Sequence, residues 1–351
     1  PIWEEILKSD TYVNGEGSYV GKVVDGTLHG HTDMTSITGV SNIGSATNLT
    51  GHPFGQANLF AYGRMAWDWS LTSESIADDW IRMTWSNEPY VIDTIKRMMM
   101  GSREALVNYQ ESLGLVHQQR QSDHYGPGPS EISTGSNPDW YARWYSRADS
   151  IGLGYDRSSS GSNFVSLYAP KLAEMFDSME TCPENLLALF YHVPFTYTMK
   201  SGRTFWDELC RNYQIGVHYV TNMRAQWDSL QPYIDNARFT DVKNRLANHE
   251  RDAGIWRDTC ISYYGSWSQM PVPPDPLQLR NLMIDGNQID GFEPGVYDYT
   301  VGGVDSDKIP QVTAVPNDPY ATVTITQATE IPGQAVVKVY MEEPFYYGPE
   351  F

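Results

Sequence analysis

Residues with the chemistry for ligand binding concentrate in two loops rich in glycine and proline. The first places His124 and Tyr125 before the run Gly126–Pro129, whose alternating glycine and proline form neither helix nor strand. Because that run fixes a rigid and irregular path, we expect it to present both side chains. Long loops in compact domains are often functional, so this one is either a connector or the wall of a binding site.

The second loop, residues 144–163, carries Arg147 and Arg157 among glycine, tyrosine and serine. A guanidinium group binds a carboxylate through two parallel N–H donors, so both arginines suit an acidic ligand. Both could equally donate to loop carbonyls and brace the loop. The residue types alone leave these two interpretations open.

The sequence gives weaker signals for a metal site, a serine hydrolase, a nucleotide-binding site or a glycoside hydrolase. His29, His31 and His52 lack the HxxxH or HExxH spacing of a metal site. The run 158–163 lacks the GxSxG spacing of a serine hydrolase, and neither glycine-rich nucleotide signature occurs. Glycoside hydrolysis needs two carboxyl groups, but none of the 43 acidic residues has a setting that distinguishes it for this role.

Composition limits the class of protein. A length of 351 residues favours two or three domains. A net charge of -19 argues against nucleic acid or an anionic membrane surface as a partner. No apolar run approaches the roughly 20 residues that span a membrane. The three cysteines form no CxxC pair, and we expect buried free thiols.

The segments on either side of these loops are predicted to be mainly helical. Residues 2–9 predict a short amphipathic helix, whereas 18–26 and 36–44 resemble short strands. Helical pattern extends from about 57 to 270, with Thr72 or Ser73 as an N-cap and a helix pair interrupted near Gly101. A stripe of apolar residues follows the cap: Ile76, Ala77, Trp80 and Ile81.

The second half of the chain changes from helix to strand. Segments 204–230 and 240–264 predict long helices whose Trp and Tyr side chains fill a bundle core. A Pro-rich junction follows at 267–285. Beyond it the runs 297–303, 321–329 and 334–341 alternate as strands do. These runs indicate a small β-sandwich-like module.

Several long motifs resemble the C-terminal part of glycoside hydrolase family 67 α-glucuronidases, in order over roughly 1–265. The longest are TGHPFGQANLFAYGRMAWD, LGLVHQQRQSDHYGPGP, WYSRADSIGLGYDRSSSGSN and ETCPENLLALFYHVPFTYTMKSGRTFWDELC. SIADDWIRMTW, WDSL and IWRDTC match as well. The chain begins at Pro1 without Met, and we expect this start to lie inside a domain.

The resemblance implies an enzyme that removes glucuronic acid, or its 4-O-methyl ether, from xylooligosaccharides. Hydrolysis would invert the configuration, with no metal or organic cofactor. The catalytic carboxylates would lie upstream of Pro1, so we assign no catalytic residue to this chain. The barrel part of the same enzyme and a second copy, as a homodimer, are the implied protein partners.

The first loop departs from the family pattern. The family has HHYGPGPW where this chain has DHYGPGPS, so Asp123 and Ser130 replace His and Trp. A Trp there could stack on sugar and Ser130 cannot, although Trp140 or Trp144 could substitute. The expected substrate-binding residues are therefore His124, Tyr125, Trp140, Arg147 and Arg157.

The expected fold is mainly α, with a remnant of an (α/β)8 barrel at the N-terminus and a small all-β sandwich-like module at the C-terminus. The last helix and strand of the barrel would occupy 1–60 and the helical domain 61–270. A Pro-rich linker at 271–285 would precede the β-module at 286–351. The added module slightly favours a periplasmic or secreted protein over a cytoplasmic one. The alternative function is a non-catalytic glucuronoxylan-binding or scaffolding protein.

Overall fold

Helices account for most of the architecture in this computed structural model. It describes residues 1–32, 34–39, 50–120, 125–131, 144–303 and 308–341. The α-helices in these residues are α1 Ile2–Lys8, α2 Val20–Val24, α3 Pro53–Trp67, α4 Ser73–Thr84, α5 Pro89–Gln110, α6 Pro170–Phe176, α7 Leu187–Phe190, α8 Phe205–Asp228 and α9 Asn236–Ser268. The prediction of a mainly α fold is confirmed.

The central bundle consists of α5, α8 and α9, which all contact one another. Its core is aromatic, as predicted: the largest fully buried side chains include Trp206, Tyr213, Trp227, Trp256 and Tyr264. All three cysteines are buried and unpaired. Burial of such large side chains makes this bundle the main apolar core of the protein.

The start of α4 follows the sequence pattern. The Thr72 side chain accepts a hydrogen bond from the Ser75 amide at 3.2 Å, so Thr72 is the N-cap. All four residues of the predicted stripe are buried: Ile76, Ala77, Trp80 and Ile81.

The predicted interruption near Gly101 is wrong, because α5 continues through it. A Cβ at Gly101 would lie 2.2 Å from the Tyr219 hydroxyl oxygen. One at Gly216 of α8 would lie 2.7 Å from the Tyr109 amide nitrogen of α5. These glycines therefore allow two helices to approach closely and do not end either of them.

The predicted strand at 18–26 is also wrong, because residues 20–24 form α2. Val20 and Val24 pack against a small cluster of Leu7, Met65 and Ile76. A Cβ at Gly21 would lie 2.3 Å from the Trp69 ring. Tertiary packing overrides the β preference of valine here.

The expected barrel remnant is not shown by the described part of residues 1–60. Apart from helices, these residues form isolated bridges, such as Asp10 with Tyr19, and no extended strand. Most of the predicted run 36–44 lies outside the described residues. The boundaries between the four predicted segments remain predictions.

The C-terminal region consists of small antiparallel sheets, as expected in outline. The strands are β3 Leu279–Ile284, β4 Asn287–Gln288, β5 Val312–Pro316, β6 Thr322–Thr326 and β7 Val336–Tyr340. β3 lies between β4 and β5, and β6 pairs with β7. The predicted strand at 297–303 is wrong, because these residues form no strand. The Tyr299 hydroxyl accepts from the Glu293 amide and donates to the Glu293 carbonyl.

Candidate substrate-binding site

The stem of the first loop is a narrow antiparallel contact. Gln119 pairs with Pro127, and the Arg120 amide donates to the Gly126 carbonyl at 2.7 Å. A Cβ at Gly128 would lie 2.8 Å from Arg120 Cα. Gly128 therefore allows the two strands of the stem to approach, while the adjacent prolines stiffen the turn.

An aromatic side chain of this loop is exposed to solvent. Tyr125 is 82% exposed, although it directly precedes the buried Gly126. Ser130, where the resemblance leads us to expect Trp, is exposed as well. His124 and Asp123 lie outside the described residues. The prediction that this turn presents Tyr125 agrees with its exposure, and its role in binding stays a prediction.

The second loop is held by a short β-ribbon of β1 Gly152–Gly154 and β2 His192–Pro194. A Cβ at Gly152 would lie 2.1 Å from the Val193 carbonyl oxygen. Gly154 has a φ of 106° and would place a Cβ 2.2 Å from the Tyr191 carbonyl oxygen. Neither glycine has room for a Cβ, and Gly154 also has a backbone conformation that favours glycine.

An Asp–His pair closes this ribbon. The Asp149 carboxylate accepts hydrogen bonds from the amides of Ile151 at 2.9 Å and Gly152 at 3.2 Å. It also contacts His192 Nε2 at 3.0 Å, while His192 Nδ1 lies 2.8 Å from the Gly154 carbonyl oxygen. Burial alone would raise the pKa of Asp149, but these hydrogen bonds outweigh it and lower the pKa below 3.8.

Arg147 is the exposed arginine of the second loop. Its backbone carbonyl accepts from the Gly154 amide at 2.9 Å, which fixes its position against β1. Its side chain is 59% exposed, and the ion pair that it forms with Asp149 spans 3.4 Å. This long contact leaves the guanidinium group accessible to an anionic ligand.

Arg157 has a different environment. It is 8% exposed, and its guanidinium group donates to the carbonyls of Leu189 and, at 2.7 Å, Trp144. It also lies 5.4 Å from the ring centres of Tyr145 and Tyr155. These contacts match the bracing interpretation of Arg157, and its role in substrate binding stays a prediction.

The two loops meet at a pair of stacked rings. His117, in the stem of the first loop, stacks on Tyr145 of the second loop at a centroid distance of 4.1 Å. Trp144 is 40% exposed and contacts Tyr155 edge to face at 6.0 Å. An exposed indole and an exposed guanidinium group therefore lie three residues apart on a braced loop, beside the stem of the loop that carries Tyr125.

Sequence reasoning did not identify Asp149 and His192 as a pair. They are 43 residues apart, so no local spacing relates them. Trp140 lies outside the described residues. Among the residues that are described, no group of three His, Cys, Asp or Glu side chains could hold a metal ion. In the same residues, no helix is long and apolar enough to cross a bilayer.

Comparison with known proteins defines the class as glycosyl hydrolase. The model described as "Glycosyl hydrolase family 67 C-terminus" matches residues 50–276, and the "Glycosyl hydrolase family 67 middle domain" matches residues 1–49. The chain belongs to glycosyl hydrolase family 67. The resemblance read from its motifs is thereby confirmed.

Curated relatives are fungal enzymes. Alpha-glucuronidase A of Emericella nidulans is 32% identical over 84% of this chain and 34% of the relative. Alpha-glucuronidase A of Aspergillus tubingensis is 33% identical over 82% of this chain and 35% of the relative. Probable alpha-glucuronidase A of Aspergillus clavatus is 33% identical over 84% of this chain and 35% of the relative. The chain thus spans about a third of the length of the curated relatives it matches.

Proposed function

We propose that this chain is part of an α-glucuronidase that removes glucuronic acid, or its 4-O-methyl ether, from xylooligosaccharides by inverting hydrolysis. Membership of family 67 and the names of the curated relatives support the activity. The chain would supply substrate-binding loops, while the catalytic carboxylates lie in a barrel on its N-terminal side. Xylooligosaccharide bearing glucuronic acid is the proposed substrate.

The observation that carries a binding role is the exposure of Arg147 beside Trp144 on a braced loop. Glucuronic acid combines a carboxylate with a sugar ring, and these require a cation and a flat apolar surface. Arg147 would bind the carboxylate while Trp144 and Tyr125 would contact sugar rings. Arg157 would hold Trp144 in place by donating to the Trp144 carbonyl.

The test joins this chain to a barrel segment on its N-terminal side and measures release of glucuronic acid from an aldouronic acid. We expect release, and Arg147→Ala should raise KM about tenfold, the effect of one charge-assisted hydrogen bond. Arg82→Ala is the matched control, because Arg82 is also a partly exposed arginine paired with an aspartate. Failure of the joined protein to release any glucuronic acid would show that the activity is wrongly assigned.

A second copy of the chain is a further proposed partner, since the family resemblance implies a homodimer. Light scattering coupled to size exclusion would give the mass of the particle. A mass equal to one chain at micromolar concentration would exclude a stable dimer.

The alternative function is a non-catalytic glucuronoxylan-binding or scaffolding protein. A cleft of about 660 Å³ in the C-terminal region favours it, since aromatic residues such as Phe292 and Tyr297 line this cleft. Tyr297 is 80% exposed. Titration of the chain with glucuronoxylan, with and without Tyr297→Ala, tests this function. Two results together would favour the alternative. The joined protein would release no glucuronic acid, and Tyr297→Ala would abolish the binding of glucuronoxylan.

A further inference from the structure

We propose that Gln118 is a positioning residue, whose buried amide sets the place of the first loop and thereby of Tyr125 in the substrate site. This inference rests on the proposed function. Gln118 is 2% exposed and lies at the start of the loop stem, seven residues before Tyr125. Its side chain joins the loop to all three helices of the central bundle.

The side-chain oxygen of Gln118 accepts from two helices. The hydroxyl of Tyr213 on α8 donates to Gln118 Oε1 at 3.0 Å, and that of Tyr264 on α9 donates at 2.7 Å. The Cys260 thiol lies 3.7 Å from the same oxygen. Burial raises the pKa of both tyrosines well above 10, so both hydroxyl groups stay protonated and able to donate.

The side-chain nitrogen fixes the orientation of the amide. Gln118 Nε2 donates at 2.6 Å to the carbonyl of Gln110, the last residue of α5. A flipped amide would place two carbonyl oxygens against each other at this position, which is repulsive. Hence Oε1 must face the tyrosines. One buried side chain therefore links α5, α8 and α9 through directional hydrogen bonds, which are stronger in the protein interior than in water.

The backbone of Gln118 passes this fixed position on to the loop. The Gly128 amide donates to the Gln118 carbonyl at 2.6 Å, and the next residue, Gln119, pairs with Pro127. Pro127 and Pro129 restrict the φ angles on the returning strand of the stem. A shift of Gln118 would therefore move the returning strand of the stem, and with it the exposed Tyr125 that directly precedes this strand.

The experiment compares two tyrosine variants that each lose one buried hydroxyl group. Tyr264→Phe removes a donor to Gln118. Tyr219→Phe is the matched control, because Tyr219 is also buried on a bundle helix but donates at 2.8 Å to the Arg97 carbonyl of α5. Amide exchange at Arg120 and Gly128 reports on the stem, and KM against kcat for release of glucuronic acid reports on substrate positioning.

We expect Tyr264→Phe to speed exchange at Arg120 and Gly128 about fivefold, the effect of one net hydrogen bond. KM should rise by a similar factor, with kcat changed by less than about twofold, because only binding is affected. Tyr219→Phe should leave the stem and KM near wild type. Gln118→Met, which removes all the side-chain bonds at similar volume, should have a larger effect in the same direction.

Three outcomes overturn the inference. They are wild-type exchange and KM in Tyr264→Phe, equal changes in Tyr264→Phe and Tyr219→Phe, and faster exchange with an unchanged KM. Failure of the proposed function is distinguishable, because it appears in the wild-type joined protein as an absence of released glucuronic acid. Slower or unchanged exchange in Tyr264→Phe would then still show that Gln118 does not hold the loop.

Discussion

The helical bundle and the C-terminal sheets differ in how they are stabilised. The bundle buries whole aromatic side chains such as Trp206, Trp227 and Trp256. Among the described residues after 270, the buried apolar ones are Pro276, Leu282 and Met341. Strand β7 shows only alternation between exposed and half-buried residues. The sheets therefore gain little from a core of their own.

Polar contacts with the bundle partly compensate for the small amount of apolar burial in the sheets. Arg211 of α8 donates to Asp318, and Arg203 contacts the same carboxylate oxygen at 3.2 Å. Asp275 accepts from His218 of α8 at 2.7 Å, and its carbonyl accepts from Asn317 at 3.0 Å. The sheets therefore depend on the bundle for their position, whereas the described bundle core contains no residue of these sheets.

The largest expected effect lies in the bundle core. Trp227→Ala removes a fully buried ring that stacks on Phe239 and contacts Trp85, together with an N–H bond to the Phe239 carbonyl. We expect a loss of about 4 kcal/mol in the free energy of unfolding, the usual cost of such a cavity. Denaturant unfolding followed by tryptophan fluorescence measures it, since every Trp lies before residue 268. A loss below about 1 kcal/mol would contradict the contrast between the regions.

The second largest effect is expected for the ion pair between Asp318 and Arg211, which attaches the sheets to the bundle. Asp318→Asn leaves the charge of Arg211 in a site where the two side chains are 6% and 3% exposed. We expect a loss of about 2 kcal/mol, reduced from the full penalty of a broken buried pair because Glu208 remains 3.7 Å from Arg211. Amide exchange should rise in β5 and β6 more than in α8.

Asp241→Asn is the matched control for Asp318→Asn. Asp241 also pairs with an arginine, Arg245, but their side chains are 46% and 47% exposed. An exposed pair contributes about 0.5 kcal/mol or less. Equal losses in the two variants would show that the sheets are not held by the buried pair.

The parts of the fold that the sequence predicted are those decided locally. The cap at Thr72 and the stripe on α4 depend on residues within a few positions of one another. The strand expected at 18–26 is replaced by α2, which contacts the distant Trp69, and α5 continues through Gly101, where Tyr219 fills the space. Exposure of Tyr125 followed from its Gly-Pro turn. The two tyrosines that donate to Gln118 lie 95 and 146 residues from it, and Arg211 lies 107 residues from Asp318, so no local spacing could indicate these contacts.

A smaller effect depends on pH and concerns the second loop. Because the pKa of Asp149 is lowered in the folded protein, its hydrogen bonds stabilise the loop above the ordinary pKa of 3.8, and this stabilisation is lost as pH falls through the folded pKa. Protection of the Ile151 and Gly152 amides should be constant above about pH 5 and fall below pH 4. Asp149→Asn should lower this protection at neutral pH by about fivefold and remove its pH dependence.

Asp68→Asn is the control for the pH experiment. Asp68 accepts from the Ser70 hydroxyl at 2.7 Å and from the Ser70 amide at 3.0 Å in a separate turn, and these hydrogen bonds lower the pKa of Asp68. The variant should leave the Ile151 and Gly152 amides unchanged. Acid-dependent protection that persists in Asp149→Asn would show that another group controls the loop.

The smallest effect is expected for a valine in the sheets, matched to one in the bundle. Val337 pairs with Ile325 at a half-buried position of β7, whereas Val220 of α8 is fully buried. The change to Ala removes the same two methyl groups from each. Val220→Ala should cost about 2 kcal/mol, because the bundle cannot close around the cavity. Val337→Ala should cost about 0.5 kcal/mol, since solvent already reaches that side chain, and exchange should rise only in β6 and β7. Equal costs would mean that the sheets hold a core as tightly packed as the bundle, and that their polar attachment is not what keeps them folded.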